Sequence, residues 1–223
     1  MNLIKSREFF NPQELKERIH IIGCGSVGST IAELLARFGI TKISLYDFDI
    51  VAPHNLANQM FFERDIKRLK VDAVKDLITS INHEANNDIE TFEKGYVPSS
   101  KLNGYVFLCV DNIDLRREIA TKNRFNQSIK AMFDVRTRLT DAQSFATEWV
   151  PQEIDNFLKS MDFTHEEAAK ETPITACNVT MSVATTIRVI CSLCVSNFVN
   201  YTRTKDLKKI ITADTFSLES EAY

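Results

Sequence analysis

Residues 21–30 read IIGCGSVGST, and the fold class turns on this stretch. The largely apolar run 18–22 has the length of a short buried strand, and it stops at Gly23. Gly23, Gly25 and Gly28 then form a GxGxxG pattern. From residue 26 to residue 38 apolar side chains recur at helical spacing until Gly39 ends them. A strand, a glycine turn and a helix in that order give a weak pattern a useful context. Glycine lets the backbone turn sharply and approach a phosphate, while the helix start offers free N–H groups and partial positive charge. Residues 42–46 read as a second strand, with Asp47 at its end, 24 residues after Gly23. A dinucleotide-binding domain keeps there the carboxylate that accepts from ribose hydroxyls. Nucleotide binding follows, but NAD, FAD, a methyl donor and ATP all use this frame.

Working outward, residues 89–92 and 105–110 read as further strands. Residues 65–81 form an amphipathic helix carrying Leu69, Ala73, Val74, Leu77 and Ile78, and 113–125 a charged helix with Leu115, Ile119 and Ala120 on its apolar side. This alternation predicts a Rossmann-like α/β fold, a mainly parallel sheet with helices on both faces. Beyond residue 129 the pattern changes: 130–134 and 142–149 look like strands joined by a short polar connection, an antiparallel C-terminal addition. Residues 151–173 are mixed and acidic, a crossover with one short helix. Residues 174–201 carry a single charge, Arg188, and read as a buried helix. Residues 209–216 suggest a last edge strand, and the final SLESEAY a frayed tail. One domain over 1–223 is expected.

The bulk numbers fit a globular chain: 223 residues, 44% hydrophobic, with a formal charge of −3 and a pI near 5.9. That charge leaves no electrostatic footprint for nucleic acid. Five cysteines, an odd number without framework spacing, point to a reducing compartment, and MNLIKSREFF lacks the apolar core of a signal peptide. No window is apolar enough to predict a membrane span. A cytoplasmic protein is expected. Cys191 and Cys194 lack a second pair, so they read as core residues rather than zinc ligands. The four histidines, 20, 54, 83 and 165, show no metal or nucleophile spacing.

The residues around the acid narrow the nucleotide. Residues 47–59, DFDIVAPHNLANQ, resemble the Asp-x-Asp-x-Val-x-x-x-Asn-Leu-x-Arg-Gln signature of the ubiquitin-activating-like adenylyltransferases, the ThiF, MoeB and HesA family. CVDN at 109–112, with Arg116 or Arg117 nearby, is similar to that family's Thr-Asp-Asn and following arginine. Lys70 stands where the family keeps a phosphate-binding lysine, and SREFF at 6–10 resembles its arginine-bearing N-terminal segment. The likeness runs in order from about residue 6 to 135.

The resemblance implies a reaction in which the C-terminal carboxylate of a small ubiquitin-like or sulfur-carrier protein, or of a peptide, attacks the α-phosphate of ATP and pyrophosphate leaves. It implies a role for each matched residue. Asp47 would hold the ribose, and Gly23, Gly25 and Gly28 would admit the nucleotide. Asp49, Asn55, Gln59 and Asn112 would complete the nucleotide side. Lys70 would neutralise phosphate charge, Asp111 would hold Mg2+, and Arg7 would reach a phosphate, supplied in the family by the other subunit of a homodimer. Cys177, at the start of the charge-poor stretch, marks a region where some relatives use a thiol; a buried inert thiol is the alternative. The chain departs from the signature at Asn58, where the arginine is expected. An amide brings no charge. A nucleotide-binding pseudoenzyme or partner subunit is therefore a competing reading, as is an NAD-dependent oxidoreductase on the same frame.

Overall fold

The computed structural model describes residues 1–171 and 181–223. Along the chain run β1 (Ile19–Ile22), α1 (Ser26–Arg37), β2 (Ile43–Tyr46), α2 (Lys70–Ile81), β3 (Glu90–Phe92), β4 (Gly104–Leu108) and α3 (Ile113–Lys122). After them come β5 (Ile129–Thr137), β6 (Asp141–Glu148), α4 (Pro151–Lys159), α5 (His165–Glu171), α6 (Ala184–Thr204), β7 (Ile210–Asp214) and β8 (Glu219–Ala222). The strands form an eight-stranded sheet in the order β3-β2-β1-β4-β5-β6-β7-β8. Pairing is parallel from β3 to β5 and antiparallel from β5 to β8. This is the Rossmann-like sheet with an antiparallel addition that the sequence predicts.

Strand side chains alternate between faces, so each strand feeds two cores. Ile19, Ile21, Leu45, Phe107 and Phe133 join α1, α2 and α6 on one face. Ile22, Val106, Leu108 and Met132 meet Ile154 and Phe157 of α4 on the other. Phe198 of α6 stands edge-on to both Phe107 and Phe133, at 5.5 and 5.7 Å between ring centroids. That burial explains why residues 184–201 of α6 are almost free of charge.

Four elements differ from the sequence reading. The charge-poor helix starts at Ala184 rather than at residue 174: residues 181–183 are not helical, and 174–180 lie outside the described residues. Helix α2 begins at Lys70 rather than at residue 65, because the backbone before it pairs with the segment after β2: Val51 N–H donates to Arg68 O and Lys70 N–H to Asp49 O, both at 2.9 Å. Those bonds flank an antiparallel bridge between Ile50 and Leu69, and Leu69 stays extended until the helix starts. The crossover carries two helices, α4 and α5, rather than one. The SLESEAY tail is an ordered strand, not a frayed end. Asp214 Oδ1 accepts the Phe216 N–H at 2.7 Å to set the turn, Leu218 takes φ +65°, and β8 pairs back on β7. Every residue of β8 is exposed, so backbone bonding alone holds it and no apolar pattern announces it.

Candidate nucleotide site

The carboxyl ends of β1, β2 and β4 bring the glycine loop, Asp47 and Asp111 to one edge of the sheet. Parallel pairing extends one residue past each strand, with Gly23 N–H bonded to Tyr46 O and Cys109 N–H to Ile22 O, each at 2.8 Å. Gly23 has φ +95°, and a Cβ there would lie 2.8 Å from the Cys109 carbonyl carbon. A Cβ on Gly28 would sit 1.8 Å from Gly23 O, so α1 packs directly on the loop. Gly25 is different: a Cβ there meets nothing within 4 Å. Packing explains two of the glycines, and the third faces open space. Gly25 is also the N-cap of α1 and supplies no side-chain cap, so among the described residues no side chain caps the first N–H groups of the helix.

Asp47 ties this loop to β2. Its Oδ2 accepts the Cys24 N–H at 2.6 Å and its Oδ1 the Asp49 N–H at 2.8 Å. Burial pushes its carboxyl above the ordinary value, against the pull of those two N–H groups and of Lys70. Each oxygen keeps a lone pair for a ligand hydroxyl. Lys70, nearly buried, reaches Asp49 Oδ2 at 2.8 Å, while Asp49 itself is half exposed. Lys70 thus sits at the site with its charge already matched by a solvent-exposed carboxylate.

Asn55 is buried and accepts the Ala52 N–H at 2.8 Å, ordering the turn Pro53–Ala57. Gln59 Oε1 is buried and has no hydrogen-bond partner among the described residues. Asn58 donates from Nδ2 to Ser182 Oγ, just before α6. Beyond β4, Asn112 caps α3 by accepting the Leu115 N–H at 3.0 Å, which leaves the exposed Asp111 carboxylate with no hydrogen bond or ion pair among the described residues. Arg116 is structural: it is buried, donates to Val110 O at 2.7 Å and pairs with the wholly buried Asp134, which also binds Arg136 at 2.7 Å. Arg117 instead donates to Met161 O at 3.0 Å.

Arg7 lies elsewhere. It lines an open cleft of about 710 Å³ with Lys16, Gly39, Thr41 and Lys42, at the amino end of β2 and so opposite the glycine loop. Cys177 lies outside the described residues. Cys24, Cys109, Cys191 and Cys194 are all buried, and burial raises each thiol, Cys194 to about 12. These are core residues with little thiolate character. Among the described residues no three His, Cys, Asp or Glu side chains gather as a metal cluster, and no helix is long and apolar enough to cross a membrane. The sequence reading assigned no role to Ser29, Ser182 or Arg188. Only Arg188 left a trace in the sequence, as the one charge in an otherwise uncharged stretch.

A glycine loop on β1, an acid after β2 and a second acid beyond β4 stand together at the carboxyl edge of a Rossmann-like sheet. The family model described as "ThiF family" matches residues 12–220, and the chain belongs to that family. Among curated proteins, the chain is 33% identical over 127 residues to ubiquitin-like modifier-activating enzyme 5 of Bombyx mori, a match spanning 50% of this chain and 32% of that protein. The same enzyme of Caenorhabditis elegans is 29% identical over 124 residues, spanning 48% of this chain and 29% of that protein. The matched region is thus about a third of those relatives' length. The fold is similar to Escherichia coli MccB crystallised with ATP, with a TM-score of 0.69 and 18% identity, over 95% of this chain and 64% of that one. It is also similar to PaaA, with a TM-score of 0.67 and 17% identity, over 95% and 65%.

Proposed function

We propose that this chain binds ATP and activates a carboxylate by adenylation, the acceptor being the C-terminus of a small ubiquitin-like or sulfur-carrier protein or of a peptide. The observation that carries the reading is the opening of the glycine loop at Gly25, beside Asp47, Lys70 and Asp111. ThiF-family membership and the likeness to ubiquitin-like modifier-activating enzymes support it.

In this reading Asp47 holds the ribose with its remaining lone pairs, and the uncapped start of α1 faces phosphate oxygens. The carboxylate oxygen attacks the α-phosphorus, the bond to the bridging oxygen breaks, and pyrophosphate departs with the electron pair. Negative charge builds on the phosphates, and Lys70, already desolvated, turns from Asp49 toward them; such fixed charge is the main catalytic term in this chemistry. Asp111, an exposed carboxylate without a partner among the described residues, would hold Mg2+ as a hard oxygen ligand. The ion would neutralise phosphate charge. Asn55 orders the loop, and the unpaired Gln59 Oε1 has acceptor capacity for a nucleotide group.

Arg7 points away from its own glycine loop, so a phosphate role for it needs a homodimer in which it serves the partner's site. A second reading, a nucleotide-binding subunit without catalysis, draws on Asn58, which carries no charge and is engaged with Ser182. ATP–pyrophosphate exchange with candidate carrier proteins separates the two. Exchange is expected; ATP binding with no exchange on any carrier would leave the second reading standing.

A further inference from the structure

Helix α6 brings a cation to the position-58 region from far along the chain. Arg188 is half-buried on α6, and its guanidinium Nη1 lies against Met60 Sδ. Met60 N–H in turn donates to Ser29 Oγ of α1 at 3.1 Å. One turn farther along α6, Cys191 Sγ lies 3.7 Å from Val27 O, so α6 runs beside the opening turn of α1. At the approach to α6, Ser182 accepts from Asn58. These contacts place Arg188 between the 58–60 segment and the start of α1, the end of the helix that carries the uncapped N–H groups.

Its pairing gives no structural reason for a charge there. Among the described residues no carboxylate pairs with Arg188, and its one polar contact is to a thioether, a weak acceptor. A partly desolvated guanidinium without an anion is unfavourable, and a methionine or leucine would fill the same place more cheaply. The arginines near the site that do have structural work have firm partners: Arg68 binds Asp65 and Asp76, and Arg116 binds Asp134. Arg188 has spare donors and a half-open position.

We infer that Arg188 is a phosphate-binding residue, contributing from α6 the positive charge toward the distal phosphates of ATP that Asn58 does not carry. The inference rests on the adenylation reading for the identity of the ligand. It goes beyond that reading in adding a cation from α6, beside a 53–60 loop whose Asn58 carries none.

The test compares wild type with Arg188→Met, Arg188→Lys and the double variant Arg188→Met with Asn58→Arg, reading equilibrium affinity for ATP and for AMP by calorimetry and folding by thermal melting. Arg188→Met should lower the preference for ATP over AMP by about 10- to 100-fold, as expected for loss of a charge-assisted bond, with AMP affinity unchanged. Arg188→Lys should keep most of the preference. The double variant should recover part of it by returning the charge to the loop. An Arg188→Met protein that melts normally and keeps the wild-type ATP-to-AMP ratio overturns the inference while leaving the adenylation reading intact. If Arg188→Met fails to fold, an unchanged ratio in a folded variant Arg188→Gln does the same. Wild-type protein that binds no ATP removes both.

Discussion

At the scale of single residues, the three glycines of the loop divide into two kinds. Gly23 and Gly28 are demanded by packing, since a Cβ at either would strike backbone atoms at 2.8 and 1.8 Å. Gly25 is spared any such clash, has an ordinary negative φ of −74°, and borders the uncapped start of α1. The two kinds should therefore respond differently to the same substitution. Gly28→Ala should destabilise by more than about 4 kcal/mol or fail to fold. Gly25→Ala should change stability by about 1 kcal/mol or less yet weaken ATP binding about tenfold or more, because its methyl group occupies the ligand side of the loop. Thermal unfolding and ATP titration of the pair check this, and a Gly25→Ala protein with native ATP affinity would count against the phosphate-loop reading. The GxGxxG pattern was visible from the residues. Which glycine is left open was not, since that depends on how close β4 and α1 come to each one.

At the scale of elements, the turn from β4 into α3 shows one motif split between structure and chemistry. Asp111 and Asn112 are adjacent and both suited to capping, but Asn112 takes the cap by accepting the Leu115 N–H. Asn112→Ala should cost about 1 kcal/mol of stability as a lost helix cap. Asp111→Ala should leave stability close to native and abolish the Mg2+-dependence of ATP binding, measured by titration with and without the ion. Metal-dependent binding that survives Asp111→Ala would remove its assigned role. The same contrast appears around α2 and β8. Residues 65–69 have an amphipathic pattern suited to a helix, yet Asp65 closes a 3-10 turn, Lys67 takes φ +71° and Leu69 bridges to Ile50, so the helix starts only at Lys70. Strand β8 has no pattern at all and exists through pairing with β7. Periodicity reports which face is buried, and it is silent where backbone pairing decides the conformation.

At the scale of the molecule, His20 links stability to pH. It lies buried in β1, its Nε2 accepting the Asn103 N–H at 3.3 Å and its Nδ1 directed at Tyr46 Oη at 3.0 Å. Burial lowers its pKa to about 4. The unfolded chain, with an ordinary imidazole near 6.5, binds the extra proton first. Its contribution is therefore complete above pH 6.5 and is lost as pH falls toward 4, about 2 kcal/mol of it between pH 7 and pH 5. Urea unfolding at the two pH values should show that loss in wild type and a smaller one in His20→Gln; equal losses would rule the residue out. The placement of Arg7 gives a test of assembly. If Arg7 serves a partner's site, Arg7→Ala and Lys70→Ala proteins should each be inactive in pyrophosphate exchange. Mixed and re-equilibrated, they should recover about a quarter of wild-type activity, one intact site in half of the dimers. No recovery would exclude a role in trans. The sequence by itself determined the strand–glycine–helix opening, the acid after β2, the parallel-then-antiparallel order and the charge-poor helix, because each is carried by local spacing or by a run of neighbouring residues. Only the tertiary structure decided that Arg7 faces away from its own loop, that Asn58 meets Ser182 across 124 residues, and that Arg188 meets Met60 across 128. Such contacts are set by how α6 packs on the sheet beside α1, and no periodicity along the chain encodes which side chains that packing brings together.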